Sequence, residues 1–139
     1  MAKKAAKKRI PVPKPFNSGT MTASAFWSFI RSALRQKSRW WKPIQECKKL
    51  ARRKNQGPNK KLKFEYKCAE CGHWFPEKEI AVDHILPAGS LNCAEDLPGF
   101  TTRLFCEQDN LRVLCEKTCH AAKTKIDKEN LKQLKLNRK

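Results

Sequence analysis

Cys68-Ala69-Glu70-Cys71-Gly72 and, further along, Cys115-Glu116-Lys117-Thr118-Cys119-His120 are the stretches on which the fold turns. Thiolates at these spacings can close a tetrahedral zinc site, and closing it draws Asp83, His84 and His120 toward one another. A single C-x-x-C also serves redox enzymes, whereas two close pairs in one chain are a more specific zinc pattern. Gly72 permits the backbone turn that aims amides at the thiolates, and Trp74 and Phe75 are placed to cover the flank of the metal. His73, beside this knuckle, reads either as an alternative ligand or as a surface or supporting residue, since four cysteines already suffice.

The composition bounds what such a module can do. The chain has 139 residues, enough for one modest core with appendages. Lys plus Arg number 31 against 13 acidic residues, a formal charge of +18. Self-repulsion of that size suits a polyanionic partner, and nucleic acid is the commonest; a membrane surface is the weaker reading. The chain carries no apolar run of about eighteen residues, and its charged beginning lacks the apolar stretch of a secretion signal, so the cytoplasm is the expected compartment. Seven cysteines, an odd number, do not suit a complete disulfide framework. Zinc accounts for four of them and leaves Cys47, Cys93 and Cys106 as ordinary reduced residues, with Cys47 and Cys106 the simplest as small core side chains.

Four regions are expected. Residues 1–20, rich in lysine and proline without an acid, read as a disordered basic arm, either a grip on phosphates or a solubilising tail. Residues 21–53 read as a helical, DNA-binding region. Thr22 is the expected N-cap of a helix carrying Phe26, Trp27, Phe29, Ile30, Ala33 and Leu34, with Arg31 and Arg35 between them, and a second helix is expected from Pro43 to Arg53. Trp40 and Trp41 read as core anchors, with at least one ring buried, or as stacking platforms among cations. Residues 54–63 read as a solvated linker. In the module 64–139, strands are expected over 62–67 and 80–86, with Asp83-His84 at the centre of the second. A loop is expected over 90–99, a short helix or turn over 100–107, and an apolar run over 111–114. A helix then runs from Cys119 toward Leu136 with Ile126, Leu131 and Leu134 on its apolar stripe.

Adjacent strand residues face opposite sides, so Asp83 and His84 suit two different tasks. A carboxylate with the His120 imidazole makes a mixed oxygen and nitrogen site for Mg²⁺, Mn²⁺ or another divalent cation gripping a phosphate. His84 is then the candidate base that removes a proton from attacking water.

Four blocks carry a further resemblance: Tyr66-Lys-Cys-Ala-Glu-Cys-Gly72, Val82-Asp-His-Ile-Leu-Pro-Ala-Gly-Ser90, Asp109-Asn-Leu-Arg-Val-Leu-Cys115 and Cys119-His-Ala-Ala-Lys-Thr124. Over residues 64–124 the chain resembles the HNH endonucleases, and more narrowly the small bacteriophage HNH proteins, with His84, Asn110 and His120 on the three naming positions. The resemblance implies an α+β chain with a ββα-metal module, two antiparallel strands and a helix around a catalytic divalent cation, stapled by structural zinc on Cys68, Cys71, Cys115 and Cys119. It implies His84 as general base, Asp83 and His120 as ligands of the catalytic cation, and Asn110 as a positioning residue that holds the loop bearing His84. Thr124 stands where some relatives supply another histidine, so water would fill that position. The implied activity is hydrolysis of double-stranded DNA to 5′-phosphate and 3′-hydroxyl ends, by nicking or double-strand cleavage. Arg103, Arg31, Arg35 and Lys123 are the expected phosphate contacts. A monomer or weak homodimer is expected, acting alone or within a larger phage complex. The reading from another class is a noncatalytic, basic zinc-ribbon protein that binds nucleic acid.

Overall fold

Leu111–Cys115 is apolar except at Arg112 and is buried at every position but that one, so both of its faces must be covered. In the computed structural model, which describes residues 8–138, this strand organises a mixed α+β chain with two small sheets. In chain order the elements are α1 (Ala23–Ser38), α2 (Lys42–Ala51), β1 (Arg52–Lys54), β2 (Phe64–Lys67), β3 (Trp74–Phe75), β4 (Ile80–His84), α3 (Leu97–Leu104), β5 (Leu111–Cys115) and α4 (Ala121–Asn137). β4 and β5 form an antiparallel pair in which Asp83 stands opposite Arg112 and His84 opposite Leu111. β1, β2 and β3 form a separate antiparallel sheet. Glu116–His120, one wide π-type turn, joins β5 to α4.

Alternation along β5 divides the interior. Leu111 and Val113 enter a core with Cys47 from α2, Tyr66 from β2 and Ile80 from β4, against which Cys106 also packs. Leu114, on the opposite face, and Cys115, at the end of the strand, join a second cluster with Cys68, Cys119 and Phe75. A third cluster joins α1 to α3: Phe100 and Leu104, both fully buried, meet Trp27, Ile30 and Leu34. That spacing is one helical stripe, and Thr22 caps the same helix by accepting from the Ala25 amide at 3.1 Å.

Several expectations are altered by packing. The second helix ends at Ala51, because Arg52–Lys54 turns into a strand whose register on β2 runs from Arg52 opposite Tyr66 to Lys54 opposite Phe64. The stretch read as a linker is therefore the tip of a hairpin, closed by the Asn55 amide on the Lys63 carbonyl at 3.1 Å. Of the basic arm, residues 1–7 lie outside those described. Phe16 bridges to Met21 and stacks on Phe26 at 4.2 Å, so the end of the arm folds back on α1. Trp41 is half-buried, donating its indole N–H to the Cys106 carbonyl at 2.7 Å, whereas Trp40 remains 69% exposed. α3 begins within the region read as a loop. α4 leaves Ile126 and Leu134 exposed, so its apolar stripe is not a core face. Among the described residues, no helix is long and apolar enough to cross a membrane.

Candidate functional site

The four cysteines converge from two directions. The turn after β2 brings in Cys68 and Cys71; it is closed by Gly72 N–H on the Cys68 carbonyl at 3.0 Å, with Gly72 at φ +74°, a conformation that a side chain would resist. The end of β5 and the π-type turn bring in Cys115 and Cys119. Ala69 N–H donates to the Val113 carbonyl at 2.8 Å, which ties the two halves together. All four Sγ atoms lie within 4.8 Å of one another. The edge of a zinc–thiolate tetrahedron is about 3.8 Å for zinc–sulfur bonds of about 2.3 Å, so the donor set and spacing fit a zinc-type ion after small adjustments. Phe75 packs on this cluster, but Trp74 does not cover it: the Arg53 guanidinium lies 3.7 Å from its ring centroid instead.

Crowded sulfurs share charge unevenly. Burial pushes the Cys68 thiol up, but backbone hydrogen bonds from Cys71, Cys115 and Glu70 outweigh it and bring the group down to about 6. The Cys119 thiol, hydrogen-bonded to Cys115 and partly desolvated, is pushed up to about 12. One thiolate is thus accommodated readily and further ones repel it, which is the charge problem that a bound cation solves.

Next to the sulfurs, β4, the π-type turn and α4 border a cavity of about 720 Å³ that Asp83, His84 and His120 all line. Cys119 holds sulfur chemistry and its neighbour His120 faces the cavity, so the two sites share one turn. Asp83 and His84, expected on opposite faces, both border this cavity but find different partners. Asp83, only 7% exposed, accepts from Arg112 Nε at 3.3 Å and lies 3.6 Å from Lys123 Nζ. His84 Nε2 lies 3.0 Å from the Leu104 carbonyl. That oxygen only accepts, so Nε2 carries a proton, and in the neutral imidazole Nδ1 is the nitrogen with the lone pair.

Asn110 closes the loop that follows His84. Its Oδ1 accepts from the Leu86 amide at 2.7 Å and its Nδ2 donates to the Leu86 carbonyl at 3.1 Å, while its own carbonyl accepts from the Ile85 amide at 2.9 Å. A side-chain amide that pairs with both backbone groups of one residue fixes that peptide as another strand would.

The expected phosphate contacts separate. Lys123 is turned inward: its ammonium donates to the His84 carbonyl at 3.1 Å and to Asp127 at 2.6 Å. Arg103 donates through Nε to the Ala88 carbonyl at 3.0 Å and so braces the loop after His84. Arg31 lies beside Ser28 on the surface of α1, whereas Arg35 reaches the cavity. Thr124 bonds back to the His120 carbonyl at 2.9 Å.

Two components escaped the sequence reading. The carboxylate of Asp127 enters the cavity seven residues after His120, a helical spacing that could have been noticed, and the Leu104 carbonyl that orients His84 has no side-chain signature at all. Among the described residues, the four sulfurs are the one group of three or more Cys, His, Asp or Glu donors gathered closely enough to hold an ion. No family model, curated protein or solved structure matches the chain.

Proposed function

We propose that the protein is a metal-dependent endonuclease of the HNH type, hydrolysing DNA phosphodiester bonds to 5′-phosphate and 3′-hydroxyl ends, with β4, β5 and α4 as its ββα-metal module. One observation carries this reading: a histidine with an available Nδ1, fixed through Nε2 by Leu104 and flanked by the Asn110 clamp, shares a cavity with Asp83 and His120. The charge of +18 supports a polyanionic substrate.

In this reading His84 takes the proton of the attacking water at Nδ1. Asn110 holds the peptide after His84, and with it the height of the imidazole in the cavity. Asp83, Asp127 and His120 border the cavity with the oxygen and nitrogen donors that a divalent cation takes, though less closely gathered than the four sulfurs. Asp83 and His120 would hold a divalent cation such as Mg²⁺ or Mn²⁺, which supplies stabilisation of the charge developing on the departing oxygen. Zinc on the four cysteines holds β5, the π-type turn and hence His120 in place.

The ion pairs of Asp83 with Arg112 and Lys123 favour a second reading, since they give this carboxylate a structural task of its own. A noncatalytic, basic zinc-ribbon protein would need nothing more. Supercoiled plasmid incubated with zinc-loaded protein and Mg²⁺ or Mn²⁺ separates the two. The nuclease reading expects relaxed or linear product from the wild type and none from His84→Ala at equal DNA occupancy. Binding without cleavage by both proteins would establish the scaffold.

A further inference from the structure

The cavity has a wall outside the strands and helix of the proposed nuclease module: Arg35, on the last turns of α1, and Arg39, which caps that helix, border it together with Asp83 and His84. Lys128 borders it from α4, within the module. None of the three makes an ion pair among the described residues. The other lysine on this cavity, Lys48, is paired with Glu77. Arg35 and Arg39 are four residues apart on one helical face, where like charges repel, and no acid lies in the last turn to offset them. Arg35 is further held in orientation by the buried ring of Phe100, 5.6 Å from its guanidinium.

All three are exposed, as most cations of this chain are, and what sets them apart is that they border the cavity that His84 lines. We infer that Arg35, Arg39 and Lys128 form a clamp for the backbone phosphates of duplex DNA, holding the strand across the cavity with the scissile bond against His84. This deepens the nuclease reading and rests on it for the position of the scissile bond. The two arginines suit bidentate phosphate contact, and Lys128 adds a point charge from α4. α1 and α2 then serve as one jaw of the cleft.

The test compares two variants with the same loss of charge, made in full-length, zinc-loaded His84→Ala protein so that no substrate is consumed. One carries Arg35→Gln, Arg39→Gln and Lys128→Gln; the other carries Lys60→Gln, Lys61→Gln and Lys63→Gln at the hairpin tip. Binding to a fluorescent duplex is followed by anisotropy across a salt series. The clamp predicts that the first triple loses about 10- to 100-fold more affinity than the second and that its log–log salt slope falls by about 3, one released counterion per cation. Equal losses in both triples would overturn it, since diffuse charge would then explain binding. Zinc content and circular dichroism verify folding, and Arg39→Gln alone, which touches no core residue, must show a smaller loss in the same direction. Plasmid cleavage by the unmutated protein is measured in parallel: selective loss of binding without any cleavage would retain the clamp and remove the nuclease reading.

Discussion

At the residue scale, the site is built from side chains whose partners are mostly backbone. Asn110 makes two hydrogen bonds to Leu86 at 2.7 and 3.1 Å, and Asn110→Ala removes both, leaving these exposed peptide groups to water. We expect a loss of about 1–3 kcal/mol in chemical denaturation, with a larger fall in kcat than rise in KM if the loop positions His84. An unchanged kcat would assign Asn110 to stability alone. Cys68 adds a pH dependence. Its folded-state value, about 6, lies below the ordinary 9.0, so the thiolate contributes stability that is complete above about 9 and is lost as pH falls through about 6. A bound cation holds the thiolates ionised further still, so zinc release and a fall in melting temperature are expected together below about 6, as read with a chromogenic chelator and by circular dichroism. Zinc release well above that value would contradict the assignment of Cys68 as the leading thiolate.

At the scale of elements, the connection between α1 and α3 decides whether the helical region is an attachment or a wall of the cavity. Phe100 is fully buried between them and carries Arg35 over its ring. Phe100→Ala is expected to cost about 3–5 kcal/mol by leaving a cavity, and to weaken DNA binding beyond what partial unfolding explains, because the jaw loses its hinge of contact. Loss of stability with DNA affinity intact would separate α1 from the cleft. The π-type turn makes a second link, since Cys119 and His120 are consecutive within it. Cys119→Ser is expected to reduce zinc occupancy and, with it, to displace His120, read as loss of any divalent-cation binding detected by Mn²⁺ paramagnetic resonance. Full Mn²⁺ binding in a zinc-depleted variant would show that the two sites are independent.

At the scale of the whole molecule, the parts legible in the sequence were those with local signatures. The cysteine spacing announced a four-sulfur cluster and Thr22 announced the start of α1, and the apolar run of 111–114, not read as a strand, falls on β5. What stayed hidden depends on contacts distant in sequence. Lysines and a glycine made 54–63 look like a linker, while the pairing of Arg53 with Glu65 at 2.6 Å makes it a hairpin tip. The inward turn of Lys123 comes from carboxylates on two elements, Asp83 and Asp127, and the fixing of His84 comes from a carbonyl on α3. The i,i+4 spacing of Lys123 and Asp127 is readable in the sequence, but no composition or spacing encodes the contacts with Asp83 and the Leu104 carbonyl. Treatment with a zinc chelator is expected to unfold the strands and helix of the module as one unit, because Cys68, Cys115 and Leu114 share one buried cluster.

The central claim is that the His84 imidazole removes the proton from attacking water, and chemical rescue tests it most directly. Zinc-loaded His84→Gly protein, shown to bind duplex DNA as the wild type does, is incubated with plasmid, Mg²⁺ or Mn²⁺, and increasing free imidazole. The account predicts cleavage by the wild type, none by the variant alone, and recovery that rises with imidazole concentration. Equal cleavage by wild type and variant, or none by either at full DNA and zinc occupancy, would contradict it.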